Sequence, residues 1–83
     1  MALQIGRSLL KHRIKRAKLT QKEFANRLGV GQSFITMVIK GEHTMSLERA
    51  VNAAKILDCD VTDLHEWLDV PLSMLRKAEE QDE

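Results

Sequence analysis

Apolar residues recur three or four positions apart along most of the chain, which is the spacing of one face of an α-helix. Strand signals are weak, because the chain has no tyrosine and no sustained alternation of apolar and polar residues. A first helix is therefore predicted to end at Lys18 and Leu19. Its apolar stripe comprises Leu3, Ile5, Leu9, Leu10, Ile14 and Ala17.

Two short helical patterns follow, and a glycine separates them. Thr20 and Glu23 have the spacing of a capping box, so the second helix is predicted to begin at Gln21. It is predicted to end before Gly29, since glycine readily adopts the left-handed conformation found just after a helix. A third helix is predicted over residues 32–40, and Gly41 ends it.

The second half of the chain continues the helical pattern. Ser46 is a favourable N-cap for a fourth helix, and Thr62 is predicted to cap a fifth helix that runs through Leu68. Pro71 marks the next boundary. We therefore predict one domain over residues 1–69 and a C-terminal extension, with a short helix and an acidic tail, over residues 70–83. The buried stripe predicted for the fourth helix comprises Leu47, Ala50, Val51, Ala54 and Leu57.

The spacing of small and apolar residues from Gln21 onward is typical of two helices that cross steeply over a short turn. Such a pair needs a small residue at the close approach, which Ala25 supplies, and a left-handed residue in the turn, which Gly29 supplies. Ile35 and Val38 are then placed to attach the second helix of the pair to the core. These matches together predict a helix-turn-helix over about residues 21–40.

The stretch "LTQKEFANRLGVGQSFITMVIKGEHTMSLERAVNAAKILDCDVTDL" resembles the Cro and phage-repressor class, the Xre-type or lambda-repressor-like helix-turn-helix domains. The resemblance extends from about residue 5 to residue 68. It implies an all-α domain of five helices. It also implies a sequence-specific DNA-binding transcriptional regulator, a repressor by our interpretation, that binds two-fold operators as a homodimer.

The resemblance also implies roles for particular residues. Gln32, Ser33 and Met37 occupy positions that commonly touch base edges in this family, and Thr36 lies beside them. Glutamine can pair with adenine, while threonine and methionine can contact a thymine methyl group. The positions expected to contact the DNA backbone are Gln21, at a helix N-terminus, with Lys40, His43 and Thr44.

Charge is divided unevenly along the chain, although the net charge is only +1. Residues 1–45 contain nine Lys and Arg and two acids, a balance of +7, whereas residues 46–83 contain four and ten, a balance of −6. A basic first half can neutralise phosphates and release their counterions. An acidic second half would be repelled by DNA and would orient the encounter.

A self-association surface is predicted in the fifth helix and the segment after it. More apolar surface follows residue 60 than a core of this size needs, and the alternative role for Trp67 is simple core packing. The predicted dimer contacts are Leu64, Trp67, Leu68, Leu72 and Leu75.

Composition excludes several other classes of protein. No nucleophile, base and orienting group occur together, so we predict that the protein is not an enzyme and that it needs no cofactor. Cys59 and His65 are too few and too poorly spaced for a metal site. A single cysteine favours a reducing compartment, and no apolar run reaches the roughly 20 residues that span a bilayer. We expect a cytoplasmic protein, associated with the nucleoid when it binds DNA.

The alternative function is an antitoxin or adaptor that uses the same fold to bind another protein.

Overall fold

Four α-helices and one small antiparallel sheet form the fold in the computed structural model, which describes residues 2–74. The elements in chain order are β1 (Ala2–Ser8), α1 (Leu10–Arg16), α2 (Gln21–Leu28), α3 (Gln32–Lys40), α4 (Leu47–Leu57) and β2 (His65–Val70). Short 3-10 helices occupy Val61–Leu64 and Leu72–Met74. The prediction of an all-α, five-helix domain is therefore wrong, although the chain is mostly helical.

The core lies where the four helices meet. No polar or charged residue in the described part of the chain is fully buried. Phe24 is completely buried and is among the largest core side chains, so its removal from water stabilises the fold by about 2–3 kcal/mol. The core residues are Leu10, Ile14, Phe24, Ala25, Ile35, Val38, Ala53, Ala54, Leu57 and Leu64.

The start of α2 confirms the predicted capping box. The Glu23 backbone N–H donates to Thr20 Oγ1 at 3.0 Å, and the Thr20 N–H donates to Glu23 Oε1 at 2.8 Å. The hydrogen bond from the Thr20 backbone is the main reason that the pKa of Glu23 lies below its ordinary value. Because both hydrogen bonds satisfy amides that have no partner within a helix, they define where α2 begins.

The turn between α2 and α3 also follows the prediction. Gly29 has φ 81° and ψ 29°, and its N–H donates to the Ala25 carbonyl at 2.9 Å. The Val30 N–H donates to the same carbonyl at 3.0 Å. Ala25 is buried where α2 and α3 approach, so the tight turn and the small side chain together define the crossing of the two helices.

The first correction concerns the N-terminal segment. Residues 2–8 are not the beginning of α1 but form strand β1, and α1 begins only at Leu10. Gly6 disfavours a helix interior by about 1 kcal/mol. An added Cβ at Gly6 would lie 3.2 Å from the Glu66 carbonyl oxygen, so the glycine permits a close approach of the two strands. Ser8 Oγ then accepts the Leu10 N–H at 3.2 Å, at the entrance to α1.

The second correction concerns the predicted fifth helix. After the 3-10 helix Val61–Leu64 the chain extends into β2, which pairs antiparallel with β1, with Ile5 opposite Trp67 and Leu3 opposite Asp69. Just beyond the paired strands, the Leu9 N–H donates to the Leu64 carbonyl at 2.8 Å. Thr62 therefore caps no α-helix, because pairing with a strand some 60 residues earlier in the chain replaces the local helical preference.

The third correction concerns the buried side of α4. Leu47 is 77% exposed and Val51 is 39% exposed, although both were predicted to face the core. Ala53, absent from the predicted stripe, is completely buried, and Ala54 and Leu57 are buried as predicted. The buried face of α4 is therefore centred on Ala53, Ala54 and Leu57, which belong to the core.

The left-handed conformation of Gly29 generates the first prediction. Gly29→Ala should lower the free energy of unfolding by about 1–2 kcal/mol, because an alanine is strained at positive φ even though open space surrounds the added Cβ. Gly31→Ala is the comparison, since Gly31 has φ −75° and its added Cβ would meet only Ser33 Oγ at 3.8 Å. Gly31 is the N-cap of α3, so this variant should show only the smaller loss of a less favourable cap. Urea unfolding measures both variants. Equal effects at the two glycines would show that the turn does not depend on positive φ.

Candidate nucleic-acid interface

One side of α3 is anchored in the core and the other side faces outward. Ile35 and Val38 are buried, whereas Gln32 and Ser33 are exposed at the beginning of the helix. Thr36 and Met37, one turn further along, are partly buried. The structure therefore brings the four predicted base-contacting residues together on a single helix whose orientation is set by its apolar side.

The hydroxyl of Thr36 is already engaged in a hydrogen bond. Thr36 Oγ1 donates to the Gln32 carbonyl at 3.2 Å, one turn back in the same helix. Because the hydroxyl is directed to the backbone, the methyl group is the part of Thr36 best able to contact a ligand. The four side chains thus combine an amide, a hydroxyl, a methyl group and a thioether, which suits a surface with both polar and apolar features.

The predicted backbone-contacting residues lie at the two ends of this helix pair. Gln21 is the first residue of α2, just after the Thr20 cap. Lys40 is the exposed last residue of α3, and the exposed His43 and Thr44 follow in the loop. The Met37 carbonyl accepts the Glu42 N–H at 2.8 Å and the His43 N–H at 3.3 Å, so the beginning of that loop is tied to the end of α3.

Sequence reasoning missed a cluster beside this face. The Phe34 ring, on α3, lies 6.2 Å from the His43 ring between centroids, and Arg49 Cζ on α4 lies 5.2 Å from the Phe34 centroid. Phe34 packs partly against the core. Fifteen positions separate Phe34 from Arg49, so no helical periodicity in the sequence could link them.

Most cations near the two helices have no acidic partner among the residues that the structure describes. In the described range, residues 2–74, the one ion pair joins Arg13 to Asp63, with Arg13 Nη2 and Asp63 Oδ2 3.7 Å apart. Among the described residues, this pair is the one ion contact between the basic half and the acidic half of the chain. Within that range, the cations of α1, α2 and α3 other than Arg13 are not neutralised by an ion pair and can attract an anionic ligand.

Among the described residues, the predicted dimer contacts differ in their exposure to solvent. Leu64 is 0% exposed and belongs to the core, so its assignment to an interface is wrong. Trp67 and Leu68 are 42% and 46% exposed, but as neighbours on β2 they point to opposite faces of the sheet and do not share a helical face. Leu72 is 73% exposed, and Leu75 lies outside the described residues.

Trp67 also lines an apolar groove between the sheet and the beginning of α4. Its indole Nε1–H donates to the Thr62 carbonyl at 2.8 Å, which fixes the ring against the 3-10 helix. The groove has a volume of about 320 Å³. The apolar residues along it are Ile5, Met45, Leu47, Ala50, Val61, Leu64 and Trp67.

Burial shifts the pKa values of two further groups in the described part of the chain. Burial raises the pKa of the Cys59 thiol, which disfavours the reactive thiolate. Burial also lowers the pKa of His65, which stands beside the Trp67 ring. Among residues 2–74, no three His, Cys, Asp or Glu side chains are grouped closely enough to bind a metal ion. No helix in the same range is long and apolar enough to cross a membrane.

Comparison with known proteins agrees with this geometry. The profile of a family described as helix-turn-helix matches residues 10–64, which is more than half of the chain. Comparison with curated protein sequences gives no match. Among solved structures, the master regulator for biofilm formation SinR in complex with DNA is similar, with a TM-score of 0.61 and 23% identity over 66% of this chain and 89% of that chain. The matched residues, together with the packed α2 and α3 and their glycine turn, show that this chain belongs to the helix-turn-helix family of the Xre, Cro-like type.

Proposed function

We propose that this protein binds specific sequences in double-stranded DNA and regulates transcription, with α3 lying in the major groove. The observation that carries the proposal is the two-sided character of α3. Its apolar side is anchored in the core by Ile35 and Val38, and its outward side presents Gln32, Ser33, Thr36 and Met37. An α-helix fits the major groove, and there each base pair presents a distinct set of donors, acceptors and methyl groups.

Each outward side chain has a chemical counterpart in that groove. The exposed Gln32 amide can donate to adenine N7 and accept from adenine N6 in a bidentate pair. The Thr36 methyl group and the Met37 thioether can pack on a thymine methyl group. Ser33 can donate or accept, so it tolerates more than one base. This combination favours readout of base sequence over electrostatic binding alone.

The backbone contacts would come from both ends of the helix pair. The N-terminus of α2 at Gln21 presents unpaired amides to a phosphate, and Lys40, His43 and Thr44 lie beyond the other end of α3. SinR, whose fold is similar, is known in complex with DNA. Repression is the sign of regulation that we propose, because occupancy of an operator needs no further contact with the transcription machinery.

We also propose that the protein binds DNA as a homodimer. A single recognition helix reads too few base pairs for selectivity in a genome, whereas two copies read two half-sites about 34 Å apart. The described part of one chain measures 39 × 25 × 20 Å, so two neighbouring copies can reach that spacing. The exposed Leu68 and Leu72, at the end of β2 and after it, are the contacts that we assign to the interface.

A protein-interaction module, such as an antitoxin or adaptor, is the second candidate function. The apolar groove beside Trp67 favours it, because a groove of about 320 Å³ could accept apolar side chains of another protein. The two functions can coexist, since the groove lies along the sheet and α4 while the four base-contacting residues lie on α3.

Salt dependence tests the proposed function. Duplexes are selected from a random pool and their affinity is measured over a series of salt concentrations. A plot of the logarithm of the association constant against the logarithm of the salt concentration should fall with a slope of about −1.8 or steeper. Two Lys40 contacts in a dimer, at about −0.9 per phosphate, account for that value. No binding at low salt, or a flat dependence, contradicts DNA binding as the function.

Base readout is tested by comparing two substitutions on α3. Gln32→Ala should weaken binding by about 1–3 kcal/mol and relax the preference at one position of each half-site. Lys40→Ala is the control, and it should weaken binding to all sequences about equally. Selection profiles for the wild type and both variants measure the difference. If Gln32→Ala leaves the profile unchanged, α3 does not dock through its N-terminal residues.

The dimer is tested by placing charges on its proposed surface. Leu68→Asp combined with Leu72→Asp should give a monomer by light scattering, with helical content retained and much weaker operator binding. Neither leucine is in the core, so the fold should tolerate both changes. Leu47→Asp, at an exposed leucine on α4, is the comparison. A dimer that survives the double substitution but not Leu47→Asp would place the interface on α4.

A further inference from the structure

Arg49 is a cation that lies beside the recognition helix α3 and is not among the residues assigned to DNA contacts above. It is the third residue of α4, and its side chain is exposed. Its backbone N–H donates to Ser46 Oγ at 3.2 Å, which places it in the capped first turn. Its Cζ lies 5.2 Å from the centroid of the Phe34 ring, so the side chain is directed from α4 toward α3.

The charge of Arg49 is not used within the domain. No acid among residues 2–74 forms an ion pair with it, including the neighbouring Glu48, and Arg13 is the cation of the one pair present there. A guanidinium that lies over an aromatic face keeps its N–H donors at the edge of its plane. The Phe34 ring can thus orient this side chain without occupying the donors.

The position of the ring connects Arg49 to the proposed DNA-binding face. Phe34 follows Ser33 directly in α3, so its ring lies on the flank of the helix next to the base-contacting residues. His43, which we assign to the DNA backbone, lies against the same ring at 6.2 Å. One aromatic ring therefore gathers a guanidinium and an imidazole along one edge of the recognition helix.

We infer that Arg49 binds a backbone phosphodiester of the operator, with Phe34 as the platform that positions its guanidinium. The phosphate belongs to the strand that passes α3 on the side of α4 and the loop after α3, opposite the N-terminus of α2. Arginine suits this role because its planar donors match two phosphate oxygens at once. The inference rests on the proposed function and adds an aromatic-supported phosphate contact to the backbone contacts proposed there.

The test compares two cations on the same helix. Arg49→Gln removes the proposed contact, and Lys55→Gln is the matched control, because Lys55 is an exposed cation near the other end of α4 and the charge change is identical. Affinity of the full chain for a duplex selected with the wild type is measured over a salt series. Arg49→Gln should make the salt slope shallower by about 0.9 per bound copy, with an unchanged base preference. Lys55→Gln should leave the slope unchanged.

Arg49→Lys separates a phosphate contact from a merely structural link between α3 and α4. Lysine retains the charge but not the planar donors, so the variant should recover most of the salt slope. An Arg49→Gln slope equal to the wild type, or equal losses in Arg49→Gln and Lys55→Gln, would overturn the inference while leaving DNA binding intact. An Arg49→Gln effect confined to the thermal midpoint would also overturn it. A wild-type chain that binds no duplex would instead overturn the proposed function, and this inference with it.

Discussion

The packing of α3 into the core through Ile35 and Val38 is the contact on which the rest of the arrangement depends. A helix of nine residues has little stability alone in water, so tertiary contacts must determine both its existence and its rotation. Because Ile35 and Val38 are buried, Gln32, Ser33 and Met37 necessarily point elsewhere. The same contact that stabilises the domain therefore determines which side chains can reach a ligand.

Pairing of the two chain segments at either end of the helical region is the second constraint. β1 and β2 pair with each other and take the place of the predicted fifth helix and the predicted beginning of the first. The hydrogen bond from the Leu9 N–H to the Leu64 carbonyl connects the two segments just before α1. The sheet changes the surface as well as the fold, because Trp67 and Leu68 point to its two opposite faces. Leu64, in the 3-10 helix before β2, is buried in the core. The apolar groove beside α4 exists because Ile5 and Trp67 are opposite each other on one face.

Electrostatics complement the shape of the molecule. The one ion pair in residues 2–74 joins Arg13 to Asp63, so most cations of the first three helices have no acidic partner in that range. The acids are concentrated in the later part of the chain. A chain of almost zero net charge can in this way present a basic region to a polyanion.

The helix-turn-helix family comprises DNA-binding domains without enzymatic activity, which confirms the prediction that this chain is not an enzyme.

The sequence by itself determined the helix-turn-helix, because its signals are local. Thr20 and Glu23 interact three residues apart, Gly29 supplies its own left-handed conformation, and the apolar spacing of α3 selects its buried side. Only the tertiary structure decided the sheet, the rotation of α4 and the cluster of Phe34 with Arg49. Each of these depends on partners far apart in the chain, and short segments such as residues 2–8 and 65–70 adopt helix or strand according to what they meet. Periodicity records which face of a segment is apolar, but it contains no information about which distant segment will cover that face.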